Sequence, residues 1–263
     1  MLDKPPTKTD PSLLARFAAI VGEKYAITDP QAQTPYLVEQ RNLYHGRTPM
    51  VLRPASVAEV VRILKLANET ATPVVPQGGN TGLVGGQVAF NDEIVLSLTR
   101  LDRIREVDPA SNTITCEAGV TLQRTREAAA AVDRLYPQLL PSEGTCTIGG
   151  NLSTNAGGTE ALAYGIARSH ALGIEVVLAD GRVLDNLNKL KKDNTGYDLK
   201  NLFIGAEGTL GIITAAVLKL FPAPKTVHSF PTRRSSDLGK SFSVAAVMIP
   251  SVPSAPMNRF LRS

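Results

Sequence analysis

The chain has 263 residues, 28 Lys/Arg against 24 Asp/Glu, and 43% hydrophobic residues, a length that holds one large domain or two small ones around an ordinary core. The net charge of +4 does not mark a nucleic-acid surface. Five Lys/Arg (Arg233, Arg234, Lys240, Arg259, Arg262) and a single acid, Asp237, lie from His228 onward, so the body before them is balanced and lacks the basic stripe such binding needs.

No window offers the roughly 18 apolar residues of a membrane span, and the opening MLDKPPTKTD has no apolar stretch of a secretory signal. The expectation is a cytoplasmic protein. Cys116 and Cys146 stand apart without a CxxC spacing, so neither a zinc site nor a disulfide framework is indicated.

In chain order, residues 1–35 read as a helical lead-in. Met50–Arg53 is a strand, and Ser56–Glu69 is an amphipathic helix with Ser56 as N-cap, Glu59 as its capping-box partner, and Val57, Val60, Val61, Leu64 and Leu66 at apolar positions. Pro73–Pro76 and Ile94–Leu98 are strands, which makes a strand-helix-strand unit with a parallel sheet. From Ile104 the pattern changes to strands joined by turns: Ile104–Val107, the turn Asp108-Pro109-Ala110-Ser111-Asn112, then Thr113–Glu117. Thr121–Ala131 is an alanine-rich helix opened by Thr121. Gly173–Ala179 and Arg182–Leu184 flank the hairpin dipeptide Asp180-Gly181, and Gly211–Phe221 is a long β-rich run closed by Pro222 and Pro224. The fold class is α/β, more finely α+β, in two subdomains: a small parallel sheet, and a mixed or antiparallel sheet, with flanking helices.

Three glycine-rich stations punctuate these elements. Pro76–Gly86, PQGGNTGLVGG, follows a short strand. Glycine reaches φ > 0 without a Cβ clash, so successive N–H groups can converge on an anion. Gly79 is expected at such a φ, where valine would both oppose the backbone and block a phosphate. The second station is PSEGTCTIGGNLSTNAGG, Pro141–Gly158, and the third is GAEGTLGIIT, Gly205–Thr214. No two glycines are spaced by two, so the dinucleotide fingerprint GxGxxG is absent. Three backbone-accessible loops on a two-part scaffold imply one long ligand with an anionic middle and heterocyclic ends.

The strings PQGGNTGLVGG, GTCTIGGNLSTNAGG, ADGRVLD and KKDNTGYDLKNLFIGAEGTLGIIT, in this order, resemble the PCMH-type FAD domain of the FAD-linked D-2-hydroxyacid dehydrogenases, in the vanillyl-alcohol oxidase superfamily, nearest the D-2-hydroxyglutarate dehydrogenases. The likeness runs from about Tyr36 to Val227. It implies that Gln77, Gly78, Gly79, Asn80, Thr81 and Gly82 donate hydrogen bonds to the FAD pyrophosphate. It places Pro141, Gly144, Thr145, Thr147, Gly149, Gly150, Asn151, Thr154, Asn155 and Gly157 along the flavin and its ribityl chain, and Gly208, Gly211 and Ile212 near the adenine end. Some relatives attach flavin through a histidine in the first loop; Asn80 stands in that region here, which implies dissociable FAD.

The implied chemistry is hydride transfer from a small D-2-hydroxy acid, of the 2-hydroxyglutarate or lactate type, to flavin, with electrons passing on to an unidentified acceptor. In the resembled family the substrate groups, and a divalent metal where there is one, come from a C-terminal domain. The chain therefore reads as an N-terminal fragment with no catalytic residue and no metal ligand of its own. His45 and His170 read as structural, and Cys146 as a buried filler. Two rival classes are a flavin-binding or electron-relay module without a substrate site, and a cell-wall reductase, which KKDNTGYDLKNLFIGAEGTLG disfavours. The domain reading is a lead-in over 1–35, an FAD-binding domain over 36–227 and a non-native tail over 228–263, because HSFPTRRSSDL at 228–238 resembles the in-frame translation of a sequencing-library adapter. Gly239-Lys240-Ser241 imitates the end of a P-loop, but Arg234 stands where that motif needs its first glycine.

Overall fold

A computed structural model describes residues 10–224; the adapter-like stretch and the rest of the tail lie outside the described residues. The first part contains α1 (Pro11–Val21), β1 (Ala26–Ile27), α2 (Pro30–Leu37), β2 (Val51–Leu52), α3 (Val57–Glu69), β3 (Val74–Gln77) and β4 (Ile94–Ser97). Its sheet runs in the order β1-β2-β4-β3. β2, β4 and β3 are parallel, as the strand-helix-strand reading expects, and β1 adds an antiparallel edge that the reading lacked. Successive strand residues point to opposite faces, and both faces are covered. Leu52, Ile94 and Leu96 pack with α1 and α3, while Val51 and Val95 pack with Tyr36 and Leu37 of α2. That is why these strands are apolar throughout rather than alternating.

The α3 N-terminus forms as its sequence predicts. Ser56 Oγ accepts the Glu59 N–H at 3.2 Å, but the Glu59 carboxylate reaches back to the Ala55 N–H at 2.8 Å, one residue earlier than a capping box requires. The expected boundary at 35/36 falls inside α2, and Phe17 of α1 is fully buried in the same core as Leu52, Val60 and Ile63. α1 is thus part of the first subdomain's core.

The second part contains β5 (Ile104–Asp108), β6 (Thr113–Glu117), α4 (Leu122–Ala130), β7 (Arg134–Leu135), α5 (Ile148–Ser153), α6 (Ala161–Tyr164), α7 (Ala167–His170), β8 (Ala171–Val177), β9 (Val183–Asn186), α8 (Lys200–Phe203), β10 (Ile212–Lys219) and β11 (Phe221–Pro222). The larger sheet is antiparallel, in the order β5-β6-β10-β8-β9, and β7 pairs with β11. One face, with Ile114, Cys116, Ile174, Val176, Ala216 and Leu218, packs with Leu122 and Ala129 of α4 and with Ile148 and Leu152 of α5. On the other face, Glu117 and Glu175 flank Ala215 in register. Arg105 bridges the two carboxylates, at 3.3 Å from Glu117 and 3.0 Å from Glu175, and so pairs charges that burial alone would penalise. The Asp108 turn and the Asp180-Gly181 hairpin form as expected, the latter with Gly181 at φ 80°.

The second glycine station is not an open loop. Ile148–Ser153 is helical, with Thr147 as N-cap. Its short glycine-bearing run folds because the turn after β6 holds it: the Ile148 and Gly149 N–H groups donate to the Val120 and Ala118 carbonyls at 2.9 and 2.8 Å.

Candidate functional site

The first station leaves β3 with its donors free. Among the described residues no acceptor takes the backbone N–H of Gly78, Gly79, Asn80, Thr81 or Gly82. Two of these residues must be glycine because other elements come close. An ideal Cβ on Gly78 would meet Thr147 Oγ1, and one on Gly79 would lie 1.9 Å from the Thr145 carbonyl oxygen. The left-handed residue of the loop is Asn80, at φ 53°, and not Gly79. The expectation of a positive φ at Gly79 is thus corrected: its small size is required by the backbone of the second station.

The third station closes the ring. The Gly205 and Glu207 N–H groups donate to the Leu152 and Ser153 carbonyls at the end of α5, at 3.0 and 2.9 Å. Gly208, at φ 78°, leaves room for Pro76, whose Cγ lies 2.7 Å from an ideal Cβ. All three stations therefore touch one another around a single cleft of about 610 Å³.

The cleft wall takes in the whole run Gln77–Gly82, then Pro141, Thr147, Gly149, Gly150, Asn151 and Thr154, and finally Gly208 and Ile212. The other anticipated residues stand behind it. Thr145 abuts Gly79 through its carbonyl, Gly144 faces Gln123, and Gly211 packs on Val176. Asn155 accepts the Arg168 N–H at 3.0 Å, and the Gly157 carbonyl accepts from Gln138. Sequence reasoning missed, among others, Gln40, Gln87, Leu98, Ala118, Leu140, Glu207 and Ile213 on the wall. Leu98, Ala118, Leu140 and Ile213 make an apolar flank of the wall, and no local pattern in the sequence marks them.

The side chains of Gln77 and Asn80 are engaged within the protein. Gln77 Nε2 donates to the Tyr36 and Gln87 carbonyls at 2.8 and 3.0 Å, and its buried Oε1 has no partner among the described residues. Asn80 Nδ2 donates to the Pro35 and Val38 carbonyls. The amide protons of Gln77 and Asn80 are thus taken up within the protein, whereas the main-chain N–H groups of the loop are not. Cys146 is buried and its sulfur accepts from Asn151 at 3.6 Å. His45 is exposed beside the Asn42 carbonyl. His170 is fully buried, edge-on to Tyr136 and Phe221, with Nε2 at 3.1 Å from the Tyr164 carbonyl. Neither histidine lines the cleft.

A run of unpaired N–H groups, a cradle that Cβ atoms would fill, and a flank of apolar residues suit a long ligand with an anionic middle. The architecture is the PCMH-type α+β fold. Among solved structures, alkyldihydroxyacetonephosphate synthase matches with a TM-score of 0.73 at 23% identity, over 84% of this chain and 46% of that one. p-Cresol methylhydroxylase matches at 0.68 and 21%, over 82% and 44%. The FAD binding domain family matches residues 48–186, and the chain belongs to that family. It is 47% identical over 215 residues to a mitochondrial D-2-hydroxyglutarate dehydrogenase of Danio rerio, covering 82% of this chain and 40% of the relative. It is 41% identical over 212 residues to that of Arabidopsis thaliana, covering 81% and 38%. A D-2-hydroxyglutarate and pyruvate transhydrogenase of Saccharomyces cerevisiae is 41% identical over 218 residues, covering 82% and 44%. The chain therefore spans less than half the length of these relatives.

Proposed function

We propose that this chain is the cofactor-holding part of an FAD-dependent D-2-hydroxyacid dehydrogenase of the 2-hydroxyglutarate or D-lactate type, and that it binds one FAD without a covalent bond. The observation that carries the reading is the convergence of three glycine stations on one cleft, with the unpaired N–H run Gly78–Gly82 in its wall. The names of the relatives supply the substrate class.

In this reading the first loop holds the pyrophosphate through main-chain donors, which form stronger bonds to an anion than to a neutral oxygen. The residues around Thr147, Gly150 and Asn151 meet the flavin and ribityl chain, and Gly208 and Ile212 meet the adenosine side. Leu98, Ala118, Leu140 and Ile213 exclude water from the ring. FAD bound there would supply a two-electron acceptor for hydride leaving C2 of the hydroxy acid. Groups that orient the carboxylate and take the hydroxyl proton belong to the portion of the relatives beyond this chain, as does any divalent metal.

The flavin domain is best drawn to include α1, since Phe17 completes its core. No helix among the described residues is long and apolar enough to cross a membrane; against the cytoplasmic placement stands the word mitochondrial in several relatives' names. Cell fractionation separates the two.

Titration of the apo chain with FAD tests the reading. Saturable 1:1 binding is expected, and acid precipitation should leave the yellow cofactor in the supernatant. No binding would overturn the reading, and flavin retained in the pellet would overturn its non-covalent part.

A further inference from the structure

Three side-chain amides surround the first loop, and their protons are all directed inward. Asn80 Nδ2 donates to the Pro35 and Val38 carbonyls at 2.9 and 2.8 Å. Gln77 Nε2 donates to the Tyr36 and Gln87 carbonyls. Gln87 Nε2 donates to Asn80 Oδ1 at 3.1 Å and to the Gly82 carbonyl at 2.8 Å. Main-chain carbonyls only accept, so chemistry fixes the orientation of each amide. Pro35 and Tyr36 lie in the last turn of α2, where a helix leaves its carbonyls without intrahelical partners. The loop is thereby tied to the end of that helix, and Gln87 ties its two arms to each other.

We infer that Gln87 is a positioning residue for the cofactor loop: its amide fixes Asn80 and Gly82 so that the N–H groups between them already face the cleft before a ligand arrives. This rests on the proposed FAD reading. Asn80 is held at φ 53°, a conformation that non-glycine residues rarely adopt. Gln87 supplies the bond to Asn80 Oδ1 that keeps this side chain turned toward α2. A loop set in advance loses less conformational freedom on binding, and that difference appears as affinity. Replacing the Gln87 side chain leaves the bonds from Gln77 to the Gln87 main-chain carbonyl and to the Tyr36 carbonyl in place, so the Gln77 tie to α2 survives.

The test uses the full chain with Gln87→Met, which removes both donors at similar size, and Gln87→Glu, which puts acceptors opposite acceptors and, because Gln87 also lines the cleft, adds a negative charge to its wall. Each is titrated with FAD and, separately, with riboflavin, which lacks the pyrophosphate and adenosine. Melting of the apo chain is recorded in parallel. FAD affinity is expected to fall about tenfold for Gln87→Met and further for Gln87→Glu, as two hydrogen bonds of ordinary net strength imply. Riboflavin affinity should stay near wild type, while the apo melting temperature falls by the few degrees that losing two part-buried hydrogen bonds costs. Unchanged FAD affinity in both variants would overturn this inference alone. So would parallel losses in FAD affinity, riboflavin affinity and melting temperature, since those describe a residue that merely supports the fold. A wild-type chain that fails to bind FAD would overturn the proposed function, and this inference with it.

Discussion

Gly79→Ala puts a single methyl group where the second station's backbone already lies. Its ideal Cβ sits 1.9 Å from the Thr145 carbonyl oxygen, 2.7 Å from the carbonyl carbon and 3.2 Å from Cys146 Cα. All three are backbone atoms, so no rotamer change relieves the clash. Real Cβ contacts do not fall below 3.0 Å, so the two stations must separate by at least about 1 Å. Overpacking of this kind costs about 1–3 kcal/mol, which for a domain of this size is a fall of roughly 2–12 °C in melting temperature. The loss of binding should be larger than that cost alone indicates. A hydrogen bond of about 2.9 Å stretched by 1 Å no longer qualifies as one, and several loop donors move together. The assay is flavin content after purification and FAD affinity by titration, beside a thermal melt of the apo chain. Wild-type melting with wild-type flavin content would refute the close-approach argument.

Ser56→Ala removes the N-cap of α3 and should lower stability by about 1 kcal/mol, read as a shift in urea midpoint at unchanged slope; no shift would mean that Glu59 alone holds the helix start. Burial, reinforced by nearby Lys219, pushes His170 below its ordinary value of 6.5, against the hydrogen bond to the Tyr164 carbonyl. With the folded pKa lower than the unfolded one, the stability that neutral His170 contributes is complete above about pH 6.5 and is lost as pH falls toward the folded value. Unfolding free energy should therefore drop between pH 7 and pH 5, and His170→Phe should flatten that slope; an equal slope in both proteins would disprove the assignment. On the proposed reading the FAD-loaded chain alone should not lose its flavin absorbance when mixed anaerobically with D-2-hydroxyglutarate or D-lactate, because the substrate positioning it assigns to the rest of the relatives' length is worth about 7–11 kcal/mol. Rapid bleaching would show that this chain carries the substrate chemistry itself.

Elements whose reasons are local could be read directly from the sequence. Ser56 and Glu59 mark the start of α3, Asp180-Gly181 marks a hairpin, and the Asp108 carboxylate organises its own turn. Elements held by distant partners could not. α5 exists because Ala118 and Val120 accept its first N–H groups, and β1 is two residues long and defined only by its pairing with β2. The same division runs through the cleft. Glycine density located all three stations, but which glycine faces the ligand and which packs on a neighbour depends on other segments. Gly211 belongs to the second kind because Val176 fills the space its side chain would need. Gln77 and Asn80 looked like ligand donors because nothing near them in sequence shows that the end of α2 takes up their amide protons.

β10 is the middle strand of the larger sheet, with β6 on one side and β8 on the other, yet it is among the last elements in the chain. The stretch that matches the family ends at residue 186, before this strand begins. A protein trimmed to those bounds would keep both hairpins, β5 with β6 and β8 with β9, but with a strand-wide gap between them. Each would then present an open row of main-chain donors and acceptors, the kind of edge that recruits foreign strands. During synthesis the same geometry makes the two hairpins wait. Neither half can settle against the other until residues 212–219 have left the ribosome, so completion of the cofactor cleft is deferred to the end of the described chain.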